Sequence, residues 1–385
     1  MTGPVRRLIL QPTPFCNIGC RYCYLPDRDT RQVMPMQVVA ATAGLLARSA
    51  RLDAAQLGPG LLDDQLEIRW HAGEPLTVPA AFYAQACQVL ADALSPVTRP
   101  WFSLQTNGTL IDASWCDLFL RRGIEVGVSI DGPAFLHDAS RVTKRGGPTH
   151  ARAMRGIAAL RAAGIAFDVI TVVTEATLLH ADEYLDFMTG LRPRSIGLNP
   201  EETEGAHQSG LLGASSFRAR YTEFLARMYA WQEATGIPVR QLTAMREQVR
   251  HGRLPLRNDQ AEPLMIVSVT VDGRVSTFSP ELLGWSAPGY GDFAIGSVLD
   301  PGCSLRRWPA GFARLAADIE AGVRRCAATC GYFGLCGGGA PANKWAENHD
   351  FASTTTGACQ AATMAVADVV LAALEIEDVR QAGEG

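Results

Sequence analysis

Lysine is almost missing from this 385-residue chain: of 35 basic residues, only Lys144 and Lys344 are not arginine. We read that as a compositional bias. Positive charge is not in excess either. The net charge is -4 and the pI about 6.0, which excludes the basic footprint of a nucleic-acid binder. Long apolar runs are also missing. No stretch reaches the ~20 apolar residues of a membrane span, and residues 1–7 lack a secretory apolar core. A cytoplasmic protein with no membrane partner is expected. No internal repeat is present. At 47% hydrophobic residues, the chain can bury a large core and is long enough for more than one domain.

Cysteine, by contrast, is clustered. Of ten cysteines, three lie near the start (Cys16, Cys20, Cys23) and four near the end (Cys326, Cys330, Cys336, Cys359). Without a secretion signal, metal binding is a better reading than disulfides. Cys87, Cys116 and Cys303 are scattered, as small buried residues are.

Apolar runs rich in β-branched residues predict strands at 7–10, 66–70, 101–105, 125–130, 167–173 and 195–198. Helices are predicted at 36–49, 80–94, 113–121, 151–163 and 181–189. Strands alternating with helices imply an α/β fold with a parallel sheet, an open sheet or a barrel, whose ligands gather at the strands' carboxyl ends. After about residue 200 the pattern changes to helices at 216–233 and 242–251. A hairpin at 265–278 follows, turning on Asp272-Gly273. Then come a Gly- and Cys-rich stretch, a helix at 359–374 and a disordered polar tail. Residues 52–64 read as a mobile loop.

The segment Cys16-Asn17-Ile18-Gly19-Cys20-Arg21-Tyr22-Cys23 follows the first strand. Three thiolates on one tight loop can hold three irons of a cubane and leave the fourth iron open. A zinc site is the competing reading, but zinc usually closes four ligands, and no fourth Cys or His adjoins the triad. After the second strand comes His71-Ala72-Gly73-Glu74-Pro75. Gln105-Thr106-Asn107-Gly108-Thr109 follows the third. Ser129-Ile130-Asp131-Gly132 follows the fourth, with Arg141 beyond. Asn-Gly or Asp-Gly alone is commonly a turn; here each falls after a strand, in order.

Together these motifs resemble the radical S-adenosylmethionine (SAM) superfamily. The resemblance implies a partial (β/α)6 barrel and a [4Fe–4S] cluster on Cys16, Cys20 and Cys23. SAM chelates the open iron, with Tyr22, Gly73, Glu74, Pro75, Thr106, Asn107, Ser129, Asp131 and Arg141 around it. His71 and Ala72 depart from the family's commonest form.

By spacing alone the C-terminal four cysteines fit a closed cluster or a zinc ribbon. The run Cys330-Gly331-Tyr332-Phe333-Gly334-Leu335-Cys336-Gly337-Gly338-Gly339 resembles the SPASM-type auxiliary-cluster domain. That domain commonly holds two clusters. Here Ala340 and Phe278 stand where a second would need sulfur, so one auxiliary [4Fe–4S] cluster is expected, either an electron acceptor or a structural staple. Gln11-Pro12-Thr13-Pro14-Phe15, Phe278-Ser279-Pro280-Glu281 and Gly337-Gly338-Gly339-Ala340-Pro341-Ala342-Asn343-Lys344 are similar to the cyclophane-forming radical SAM/SPASM peptide maturases. The implied partners are a ribosomally made precursor peptide and an external electron donor such as flavodoxin or ferredoxin. The implied layout is a barrel over 1–235, linker helices over 236–262 and a SPASM-like domain over 263–385.

Crosslinking to a ring needs a base. Glu281 is the leading candidate, with Glu201 and Glu202 as alternates; a solvated surface carboxylate is the bland alternative. An anaerobic sulfatase (formylglycine) maturase fits the barrel motifs equally, but Ser279 replaces that family's Asp base. A non-catalytic metal-binding scaffold is the alternative from another class.

Replacing Cys16, Cys20 and Cys23 together by Ala is expected to remove about four irons per chain and all 5′-deoxyadenosine release under anaerobic reduction. Continued release in that variant would sink the radical SAM reading.

Overall fold

A computed structural model describes residues 4–56, 61–205, 207–212, 216–252 and 257–383. Six parallel strands form its core: β1 (Val5–Leu10), β2 (Leu62–Trp70), β3 (Arg99–Thr106), β4 (Ile124–Ser129), β5 (Phe167–Val173) and β6 (Ile196–Pro200). They lie in the order β6-β5-β4-β3-β2-β1. Helices α1 (Met36–Gln56), α2 (Ala80–Leu94), α3 (Ala113–Arg122), α4 (Ala134–Ser140), α5 (His150–Ala162), α6 (Glu175–Leu179) and α7 (Ala181–Leu191) connect them. This is the expected α/β partial (β/α)6 barrel.

Alternation sets the two faces of each strand. Leu8, Ile68, Leu104, Val126 and Val169 are buried in the hydrophobic core. The other face is polar. Glu67 there accepts hydrogen bonds from Arg7 Nε (2.6 Å) and Ser103 Oγ (2.7 Å) and pairs with Arg69. Burial alone would raise its pKa, yet Arg69 and Arg7 hold it below the usual carboxylate range. These links tie three neighbouring strands in register.

The second half begins with α8 (Phe217–Thr235) and α9 (Arg240–Arg250). The hairpin strands β7 (Ile266–Val269) and β8 (Arg274–Thr277) follow, then β9 (Gly296–Ser297). β7 lies parallel to β1, with Leu8 opposite Val267. The hairpin thus extends the barrel sheet to nine strands. Its turn is longer than predicted. Thr270 N–H bonds Arg274 O (2.9 Å) and Gly273 has φ 90°, a three-residue turn ending in a bulge rather than a two-residue one.

Helices α10 (Ala310–Thr329), α11 (Phe333–Cys336), α12 (Pro341–Asn348) and α13 (Gly357–Cys359) come next. A π-helical turn, Gln360–Ala365, then leads into α14 (Val366–Gly383). Two expectations need correction. The polar tail is helical to Gly383, because α14 is fixed by Glu377 pairing with Arg246 and Arg250. Residues Gly357–Val379 are also long and apolar enough to cross a membrane by composition. One side of that stretch packs on α8 and α9, while Ile376 and Val379 stay exposed. Of the loop expected at 52–64, α1 takes the start and β2 the end; residues 57–60 lie outside the described residues.

Phe278 is fully buried, stacked on Phe312 (5.9 Å between centroids) and edge-on to Trp308. Phe278→Ala is expected to cost about 3–5 kcal/mol, read as a lower urea midpoint at unchanged slope. A loss below about 1 kcal/mol would show that the trio is not a packing centre.

Candidate active site

The Cys16–Cys23 loop is pinned on several sides. Cys16 N–H bonds Arg28 O (3.0 Å), Gly19 N–H bonds Val142 O (2.7 Å) and Arg21 N–H bonds Ser140 O (3.0 Å). Arg28 donates to Cys20 O (3.0 Å). Burial, with Glu74 adding to it, pushes the Cys16 thiol up to about 12. Cys20 is pushed up to about 11 by burial, against opposition from Arg141 and Arg28. Protein charges therefore do not make these thiols into thiolates. A bound metal centre would, since its positive charge favours the deprotonated ligand. Among the described residues no three His, Cys, Asp or Glu side chains converge as one metal ion requires. Three half-buried thiols on one short loop are the donor set that a cluster with one open iron would use.

The motif loops meet this one. Ala72 (φ 74°) and Gly73 (φ 59°) turn the chain after β2, so that Glu74 N–H reaches Phe15 O (2.8 Å). A Cβ on Gly73 would stand 2.4 Å from Thr13 O, so only glycine fits. Glu74 is buried and accepts from Leu76 N–H (3.0 Å), Thr106 Oγ1 (2.7 Å) and Asn107 N–H (2.8 Å). Burial still lifts its carboxyl to about 7, against those bonds. Pro75 begins the next turn, and its carbonyl accepts from Tyr83 (2.6 Å). Asn107 donates to Asn17 Oδ1 (2.8 Å) and lies 3.9 Å from Cys16 Sγ. Ser129 Oγ accepts from Gln105 (2.8 Å).

Asp131 joins the most elements. Its carboxylate accepts from Tyr22 Oη, Arg141 Nε (2.9 Å) and Val172 N–H (3.0 Å). Arg141 lies over the Tyr22 ring at 5.4 Å. Asp131 is thus a framework carboxylate first.

The three candidate base residues separate. Glu201 pairs with His207 (2.8 Å). Glu202 instead accepts from Asn343 Nδ2 (2.8 Å) and shares a hydrogen bond with Glu204. Glu281 faces the same group. As a residue it is partly exposed, but its Oε2 is buried without a partner, as is the Trp285 indole N–H. Burial, reinforced by the neighbouring Glu202, raises Glu281 to about 7 despite an opposing backbone hydrogen bond. Burial likewise raises Glu202 and Glu204. The trio acts on Tyr24, next to Cys23, and so lies near the cysteine loop. Sequence reasoning missed Glu204; the only available signal was a third Glu within residues 201–204.

The four C-terminal cysteines line one cleft, with Tyr332 and Phe333 on its wall. Cys326 and Cys330 come from the end of α10, Cys336 from α11 and Cys359 from α13. Burial raises Cys359, and raises Cys326 against the nearby Lys344. Cys303 lies apart, under Gly296 of β9.

A parallel partial barrel with a three-cysteine loop after its first strand defines a class of iron–sulfur enzyme. Residues 10–188 match the model of the Radical SAM superfamily. The chain is 38% identical to the uncharacterised Synechocystis protein sll1766, over 97% of this chain and 93% of that one. It is 34% identical to the serine-type anaerobic sulfatase-maturating enzyme of Klebsiella aerogenes, over 52% of this chain and 47% of that enzyme. Among solved structures, anSMEcpe with bound AdoMet and the Kp18Cys peptide superposes with a TM-score of 0.75 at 19% identity, covering 96% and 98% of the two chains. Streptococcus suis SuiB bound to its precursor peptide SuiA gives 0.56 at 15%, covering 94% and 76%. The chain belongs to the radical SAM superfamily of enzymes, which implies a [4Fe–4S] cluster and SAM as cofactors. Its fold is that of a radical SAM barrel followed by a SPASM-like C-terminal unit.

Asp131→Ala is expected to cost about 3–5 kcal/mol, because the buried Arg141 loses its counter-charge. Urea unfolding of the metal-free protein checks this. A loss under about 1 kcal/mol would reduce the pair to surface-like strength.

Proposed function

We propose that this enzyme joins an aromatic ring carbon to the β-carbon of a nearby residue in a ribosomally made precursor peptide, forming a cyclophane. The observation that carries this reading is the carboxylate trio Glu202, Glu204 and Glu281 near the cysteine loop, with one buried oxygen of Glu281 left unpartnered. Loaded with its N-terminal cluster and SAM, the site supplies a 5′-deoxyadenosyl radical able to take a hydrogen from a side chain. Cys16, Cys20 and Cys23 hold that cluster. Tyr22, Gly73, Glu74, Pro75, Thr106, Asn107, Ser129, Asp131 and Arg141 form the SAM side of the site, at the strands' carboxyl ends. Bond formation at the ring leaves it with one proton and one electron too many. Glu281 takes the proton: a base works best with a pKa near the operating pH, and burial brings this one there. Glu202 adds to that rise, and Glu201 is spent on His207.

We assign one auxiliary cluster to Cys326, Cys330, Cys336 and Cys359, which share a cleft. Phe278, packed on Phe312 and Trp308, and Ala340 occupy the positions a second cluster would need. The peptide-bound relatives support a peptide substrate; an external donor such as flavodoxin or ferredoxin would supply the electron. Formylglycine formation is the less favoured reading. Ser279, where that family has its base, is buried and accepts from Ala342 N–H (3.1 Å).

The test uses a short precursor encoded beside the gene. The expected product lacks two hydrogens, shows no hydrazide-reactive aldehyde and resists fragmentation between the joined residues. An aldehyde would instead establish formylglycine formation. Glu281→Gln is expected to cut crosslinked product about 100-fold or more while 5′-deoxyadenosine release continues. Because a raised carboxyl is a base only once ionised, wild-type product should rise as pH climbs through about 7, and Glu281→Gln should lose that limb. Wild-type yield from Glu281→Gln would remove it as the base.

A further inference from the structure

One of the chain's two lysines is buried. Lys344, on α12, is 4% exposed, and its Nζ lies 3.6 Å from Cys326 Sγ. Room for it is made by Gly322 of α10. A Cβ there would stand 3.0 Å from Nζ and 2.4 Å from Phe351 O. Burying an ammonium is costly unless an anion faces it. Glu202 is engaged by the neighbouring Asn343, and Glu347 accepts from Gly357 and Ala358 N–H. The sulfur is thus the acceptor that the geometry offers the ammonium, and a neutral thiol is a poor one. A cysteine thiolate within an anionic iron–sulfur centre is a good one. Nearly every other basic residue of the chain is arginine; the one at this place is lysine.

We propose that Lys344 is a positioning residue for the auxiliary cluster: its ammonium hydrogen-bonds the Cys326 sulfur and raises the cluster's reduction potential. The inference rests on the assignment of that cluster to the C-terminal cysteines. The reduced cluster carries one more negative charge than the oxidised one, so a fixed positive charge beside a ligand sulfur favours the reduced form. Hydrogen bonds to sulfur and net charge are established determinants of such potentials.

The experiment compares wild type, Lys344→Met and Lys344→Arg as anaerobically reconstituted full-length holoenzymes. Iron is counted first, and the auxiliary potential is then titrated by EPR. The N-terminal cluster is the internal reference, its signal being the one that added SAM perturbs. Wild type should hold about eight irons; about four would overturn the auxiliary-cluster assignment itself, before any variant is considered. With about eight irons bound, Lys344→Met should lower the auxiliary potential by at least 59 mV, a tenfold change in a one-electron equilibrium. Lys344→Arg should stay within that margin, and the reference should not move in either. An unshifted auxiliary potential in Lys344→Met overturns the proposal. If Lys344→Met holds about four irons and Lys344→Arg about eight, the charge retains the centre instead of tuning it, and the proposal falls. If both drop to about four, Lys344 is only a packing residue and the proposal falls.

Discussion

Asp131 is the joint on which the active-site framework depends. One carboxylate, just past β4, holds the cysteine loop through Tyr22, the segment after α4 through Arg141, and β5 through Val172. Two of those partners are side chains whose burial is tolerable only with a partner in place. The shape of the loop bearing Cys16, Cys20 and Cys23 is therefore set from beyond the fourth strand. Glu74 does the same between the loops after β2 and β3. In both places a charge has been moved out of water to fix the relative position of loops that share no sequence neighbours.

The barrel mouth thus holds two kinds of buried carboxylate. Asp131 and Glu74 are surrounded by donors and serve as struts. Glu202, Glu204 and Glu281 lie together, and burial first of all raises their proton affinity. Burial lifts Glu74 as well, so what sets the second group apart is the unpartnered oxygen of Glu281. Composition could not separate them, because both sets are Asp and Glu lying after strands.

Much of the site was legible in the sequence because its chemistry is local. Three thiols on one loop, and Gly73-Glu74, Thr106-Asn107 and Ser129-Asp131 each after a strand, are short patterns. The alternation of strands with helices pointed to six parallel strands, and their order in the sheet came from the structure. The unread parts depend on long-range contacts. The meeting of Glu204 with Glu281 joins the loop after β6 to the segment after β8, and that of Lys344 with Cys326 joins α12 to α10. The parallel pairing of β7 with β1 joins residues more than 250 positions apart, and no local pattern encodes it. The three-residue turn at Gly273 was misread because Asp-Gly suits both turn lengths. The tail looked disordered because its acidic residues were seen without the arginines they meet.

That seam between β1 and β7 also bears on how the chain is made. β1 leaves the ribosome well before β7, and its free edge waits for a partner beginning at Ile266. At a synthesis rate of about 5–20 residues per second, the wait is on the order of ten to fifty seconds. During that time the strand presents unpaired N–H and C=O groups and an apolar side, the kind of edge that seeds aggregation. A nascent barrel of this design needs either a chaperone to shield it or a cluster loaded early enough to hold the N-terminal loop over it.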